Sequence, residues 1–150
     1  MIGIKEELCK ECLNYVQDCI DTAQQAINAA IESSNDDTKS SAGDKYETGR
    51  EMMQQEIDRN RKQLEEAKKQ KLSLEQIEHQ KHYDIVQTGS LVITNFGKFY
   101  IAISRGQMQV EGVNYFAISA ASPIGTKLMC QKIGYEFDFN GKTFKIEDIQ

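Results

Sequence analysis

The sequence predicts an α+β protein: an N-terminal antiparallel coiled-coil helical hairpin, then a small antiparallel sheet domain with one short helix. Three observations predict it. Up to about residue 79, apolar residues recur at helical spacing and are interrupted by one long polar run, Ser33 to Asp44 (SSNDDTKSSAGD). Near Tyr83 the period changes from helical to alternating. All six phenylalanines and seven of the ten glycines lie beyond that change. The expected domains are therefore residues 1–82, with a tip at 33–45, and residues 83–150.

The first helix is expected over residues 4–33. Cys9, Leu13, Val16, Ile20, Ala23, Ile27 and Ala30 are spaced alternately by four and three, a heptad seam uninterrupted by proline. Thirty helical residues span about 45 Å. The second helix is expected over 46–79, where Met53, Ile57, Asn60, Leu64, Ala67, Lys71 and Leu74 repeat the spacing. Asn60 and Lys71 put polar groups on the seam. That either fixes the register at some cost in stability or marks a pattern that is imperfect near its base.

Acidic residues outnumber basic ones over 4–33, and basic residues outnumber acidic ones over 50–71. Opposite charge favours pairing of the two helices over self-pairing, and the short connection makes them antiparallel neighbours. The competing arrangement pairs these helices with another chain.

Beyond Tyr83, Ser90–Thr94 and Lys98–Ser104 read as strands around an Asn95–Gly97 turn, and Val113–Ser119 as a third. Tyr135–Phe139 and Thr143–Ile149 flank Asn140-Gly141, a strong two-residue hairpin signal. Between them Ser122-Pro123 starts a short helix reaching about Gln131, with serine as cap and the chain's only proline in the first turn. Residues 80–84 lack Gly, Pro and Ser and read as a junction rather than a loose linker.

Composition narrows the function classes. A net charge of −5 with 27% charged residues fits a soluble protein and argues against nucleic-acid binding through bulk charge. No apolar run reaches membrane-spanning length, and the opening MIGIKEELCKEC turns acidic too soon for a signal peptide, so a cytoplasmic protein without membrane contact is expected. Cys9 and Cys12 form a CxxC, but no second CxxC or nearby histidine pair completes a four-ligand zinc site. Helical pattern runs through the motif, which favours ordinary thiols in a reducing compartment over a redox pair. His79 and His82 are three apart near the junction and have no evident third ligand. The basic residues Arg59, Arg61, Lys62, Lys68 and Lys69 suit either a solvated helix face or contact with RNA or a protein partner.

The segment SPIGTKLMCQKIGYEFDFNGKTFKIEDI resembles the end of the bacterial GreA/GreB transcription elongation factors. The resemblance rests on Ser122, Pro123, Ile124 and Gly125, then Leu128, Gly134, Phe144, Ile146 and Ile149. Gly89, Ser90, Val92 and Ile93 match that family's G-S-x-V-x-V strand. At the tip the family pattern D-x-K-E-N-A-x-Y-x-x-x-R-E is met by Asp37, Lys39, Ala42, Tyr46, Arg50 and Glu51, with two extra residues before the tyrosine. The order of parts agrees as well, a coiled-coil hairpin before a small FKBP-like domain.

The resemblance implies a monomeric factor that binds bacterial RNA polymerase. It docks at the rim of the secondary channel through its globular domain, with Ser122, Pro123, Ile124 and Gly125 as candidate docking residues. The hairpin inserts its tip toward the active centre, with only indirect contact to RNA or DNA. In that family, acidic tip residues help hold a second Mg²⁺ of the polymerase, which needs extra carboxylate oxygen, and so stimulate the polymerase's own transcript cleavage. Such a factor is not itself an enzyme and keeps no cofactor or stably bound metal.

The tip departs from the pattern. Where the family has Asp and Glu three apart followed by Asn, this chain has Asp37, Ser40 and Ser41. Acid remains at Asp36, Asp37 and Asp44, and Asp44 is also placed to cap the second helix. The missing glutamate favours channel occupancy without robust cleavage. Two other classes stay open: a coiled-coil adaptor for another assembly, and a prolyl isomerase, which needs an apolar aromatic pocket in a chain with no Trp.

Overall fold

The computed structural model describes residues 3–37 and 43–150, with side chains described for 3–33 and 49–150. The chain is α+β. Two long helices, α1 (Ile4–Asp37) and α2 (Gly43–Glu75), precede a six-stranded sheet that carries one short helix. Among the described residues, no helix is long and apolar enough to cross a membrane. The chain divides into two compact units, Val16–Lys71 and a second made of Met1–Tyr15 with Leu72–Gln150.

Within the unit Val16–Lys71, α1 and α2 pack along the stripe the sequence spacing marks. Ala23, Ile27, Ala30, Ile57 and Leu64 form a buried cluster, with Ile20 half-buried against it. The two polar residues of the stripe, Asn60 and Lys71, are half-buried rather than excluded. Asn60 donates from its side-chain amide to the Glu56 carbonyl at 3.0 Å, which satisfies it within its own helix. Lys71 donates to the Gln17 side-chain oxygen at 3.0 Å. That contact joins the start of one segment to the end of the other, so the helices run antiparallel.

Both helices take in parts of the polar run between them, α1 reaching Asp37 and α2 beginning at Gly43. Ser, Asn and Asp are only mildly unfavourable in a helix, and extending an existing helix requires no new nucleus. At its other end α2 stops at Glu75, short of the expected residue 79. Turn bonds replace the helical ladder there, from the Ile77 amide to the Leu74 carbonyl and from the Lys81 amide to the Glu78 carbonyl. Ile77 is thereby buried, with Gly89 so close that a β-carbon there would lie 3.0 Å from its Cγ2.

In the other unit the strands are β1 (Leu91–Thr94), β2 (Gly97–Ile101), β3 (Gly106–Val110), β4 (Val113–Ile118), β5 (Glu136–Phe139) and β6 (Lys142–Ile149), in the order β3-β4-β2-β1-β6-β5. The sheet is mixed, which corrects the antiparallel expectation: β2 and β4 pair in parallel, Phe99 opposite Phe116 and Ile101 opposite Ile118. The cause is β3, a strand the sequence reading left out. Its residues Gln107 and Gln109 look like loop, but Met108 and Val110, which alternate with them, are buried. β3 reverses the chain and hairpins with β4 through Glu111-Gly112, both at positive φ (51° and 79°). That extra reversal leaves β4 running the same way as β2. The Asn140-Gly141 turn forms as expected, with φ of 51° and 77°, and joins β5 to β6.

Alternation sends successive β2 side chains to opposite faces. On one face Val92, Phe99, Ile101, Phe137, Phe144 and Ile146 pack with Leu128 of α3 (Pro123–Leu128). On the other, Tyr100 lies against Cys9, and Met108 meets Cys12 at 4.0 Å between sulfurs. The first turns of α1 therefore cover this second face. The helix α3 ends at Leu128 rather than near Gln131 because the chain turns there to pair with residue 86. The Cys130 amide donates to the Val86 carbonyl and the Val86 amide to the Gln131 carbonyl, each at 2.9 Å.

Candidate functional site

The expected site falls on two segments. The tip candidates Asp36, Asp37, Lys39, Asp44 and Tyr46, together with Ser40 and Ser41, lie outside the residues whose side chains are described. Asp36 and Asp37 are the last two residues of α1, and Asp44 and Tyr46 stand in the first turn of α2. Arg50 is exposed on α2. Just beyond it, Met52, Met53 and Arg59 line an open depression of about 460 Å3, with Met52 66% exposed. The basic residues Arg59, Arg61, Lys62, Lys68 and Lys69 are all exposed along the same helix, as a solvated charged face is.

The second segment is the start of α3. Ser122 is its N-cap, at φ −66° and ψ 159°. Its hydroxyl donates to the Ser119 carbonyl at 2.7 Å and accepts from the Gly125 amide at 3.1 Å. Pro123 stands exposed in the first turn, Ile124 is half-buried against the sheet core, and Gly125 is buried. A β-carbon at Gly125 would lie 2.2 Å from the Ser119 carbonyl oxygen, so only glycine fits. Every residue of the Ser-Pro-Ile-Gly run thus has a defined local task, and Pro123 is its outward-facing member.

The cysteines are all free. Cys9 and Cys12 are 1% and 0% exposed, Cys19 is half-buried and Cys130 exposed. Cys9 lies 3.7 Å from the Leu74 carbonyl oxygen. Burial, with Cys9 as neighbour, pushes the Cys12 thiol up from 9.0 to about 12, and burial raises Cys9 as well. A thiol held protonated is a poor nucleophile.

Two outcomes are expected. An alkylating reagent at pH 8 labels Cys130 fastest, Cys19 next, and Cys9 and Cys12 only on unfolding, as read by mass spectrometry. In the unfolded chain these two thiols ionise near pH 9, whereas in the folded chain Cys12 does so only near 12. The Cys12 contribution to stability is therefore whole below about pH 9 and is lost as pH rises toward 12. Cys12→Ala should flatten that part of a stability-versus-pH curve.

Among the described residues, no group of three or more His, Cys, Asp or Glu side chains is placed to hold a metal ion. His79 and His82 lie beyond the end of α2, not on a helix, and His82 pairs with Asp84 at 3.5 Å. Both histidines instead line an open cavity of about 520 Å3 beside the first turn of α1.

Lys5, in the same wall, is only 6% exposed. Its ammonium donates to the Lys81 carbonyl and sits 4.7 Å above the Tyr83 ring. Lys5 entered the sequence reading only as one of the basic residues counted over 4–33. The spacing did not mark it, because the seam's next step back from Cys9 is three residues, to Glu6.

A scan against protein-family models, a search of curated proteins and a search of solved structures each found no match.

Proposed function

We propose that the chain is a Gre-like transcription factor that binds bacterial RNA polymerase and modulates elongation or transcript cleavage by placing the α1–α2 tip in the secondary channel. In this reading the paired helices are a coiled coil and the sheet unit an FKBP-like docking module. The protein works as a monomer in the bacterial cytoplasm. It carries no catalytic centre of its own, and acts on the polymerase's.

The observation that carries the reading is the Ser122-Pro123-Ile124-Gly125 helix start, set in its expected order behind two long antiparallel helices and ahead of the Asn140-Gly141 hairpin. Pro123 and the half-buried Ile124 offer a small apolar contact beside this cap. At the tip, Asp36 and Asp37 close α1, and Ser40 stands where the resembled family keeps a glutamate. A two-metal centre gains from each carboxylate oxygen lent to its second Mg²⁺. One lost ligand position therefore favours occupancy of the channel over strong stimulation of cleavage.

The test uses purified bacterial RNA polymerase. The full chain should co-elute with it, and should compete with a known secondary-channel protein. Failure to bind overturns the proposal. On stalled, backtracked elongation complexes, cleavage lost in Asp36→Ala/Asp37→Ala would assign the metal-assisting role to that pair. Binding with no cleavage would assign the channel-occupying role.

A further inference from the structure

The cavity beside the first turn of α1 brings Lys5, Lys81 and both histidines into one wall. Lys5 is buried, yet among the described residues no carboxylate stands within ion-pair distance of it. A buried ammonium held only by a carbonyl and a ring face is an incompletely compensated charge, and such charges are costly. Burial lowers the Lys5 ammonium from the ordinary lysine value, as expected of a cation without a counter-charge. Lys81 brings a second ammonium to the same wall, 5.6 Å from the centre of the Tyr83 ring.

His79 adds a ring whose Nδ1 is buried without a hydrogen-bond partner. The amino end of α1, a helix of 34 residues, borders the cavity through Gly3, Ile4 and Lys5. Unpaired amides and the positive end of the helix dipole favour negative charge there. Against these stand the carboxylates of Glu6, which also lines the cavity, and of Asp84, which His82 engages. The cavity's roughly 520 Å3 exceeds what a bare ion needs, and no Phe, Tyr or Trp is among its described lining residues.

We propose that this cavity binds a small phosphate monoester, its dianionic phosphate held by Lys5 and Lys81 at the amino end of α1 with His79 beside it. The site is independent of the polymerase reading and lies within the unit that contains the sheet. A dianion answers two ammonium groups and a helix terminus better than a single carboxylate does. Gln80 and Gln150 in the wall suit the hydroxyl groups of a sugar- or glycerol-like body.

The chain's two histidines both line this cavity, so their ring-proton NMR signals report on it directly. With the full chain in about 0.15 M NaCl, where exposed charges are screened beyond roughly 8 Å, glycerol 3-phosphate should shift both signals saturably. Glycerol alone should not. Lys81→Gln, at an exposed position, should weaken binding at least about 10-fold, or roughly 1.4 kcal/mol. Lys127→Gln, on α3, should leave it unchanged. Shifts that do not saturate, that glycerol or added NaCl reproduces, or that survive Lys81→Gln at full affinity would overturn the site.

Discussion

Gly125→Ala is expected to destabilise the sheet unit by about 2–4 kcal/mol, adding a steric clash to the loss of a helix cap. The added methyl would stand 2.2 Å from the Ser119 carbonyl oxygen, 2.8 Å from the Ser122 hydroxyl and 3.1 Å from the Ala120 carbonyl oxygen. Two of these three are backbone atoms, which no rotamer change moves aside. Relief requires displacing the 119–122 turn, and the Ser122 hydroxyl that caps α3 is bonded to that same turn. Ser122→Ala loses the cap alone and should cost only about 1 kcal/mol. Near-UV circular dichroism melts read the comparison, because every phenylalanine lies in the sheet unit. Gly125→Ala should lower Tm by roughly 5–15 °C and Ser122→Ala by a few degrees. Equal effects from the two variants would refute the steric account.

Phe144→Ala should cost about 3–5 kcal/mol. Phe144 is the hub of the aromatic core. Its ring stacks on Phe137 at 5.2 Å and 7°, and meets Phe96 edge-on at 5.0 Å, with Phe139 and Phe99 at 6.2 and 6.4 Å. It joins three strands and a turn, so truncation opens a cavity that no single neighbour can fill. Urea unfolding followed by tyrosine fluorescence should show a lower midpoint with little change of slope. Phe144→Leu keeps most of the volume and should recover more than half of the loss. A Phe144→Ala variant as stable as the wild type would mean that the core collapses around the gap.

Much of the helical half was legible because a helix writes its burial into spacing along the chain. The four-three rhythm marks Val16, Ala23, Ile27, Ile57, Leu64 and Leu74, all buried. Asn60 and Lys71 on that rhythm are half-buried and bonded within the helix pair. Asn140-Gly141 and Ser122-Pro123 were legible because a type of turn or cap demands particular residues at adjacent positions. β3 was not. On an edge strand with one wet face, glutamine alternating with Met108 and Val110 reads like loop. The parallel β2–β4 pair followed from that omission. The end of α2 was overrun because nothing local marks residue 75, and the turn there is stabilised by burying Ile77.

The sequence by itself determined the helix pair, the change to a sheet after Tyr83, the Asn-Gly hairpin and the capped start of α3. Each is written in residues within one or two turns of each other, where propensity and periodicity act. Only the tertiary structure decided the strand order, the seclusion of Cys9 and Cys12 against the sheet, and the meeting of Lys5 with His79 and Lys81. Those depend on contacts between residues distant in the chain, 17 positions for Phe99 with Phe116, 57 for Val92 with Ile149 and 76 for Lys5 with Lys81. Burial there leaves Lys5 an incompletely compensated charge and holds Cys9 and Cys12 as protonated, unreactive thiols.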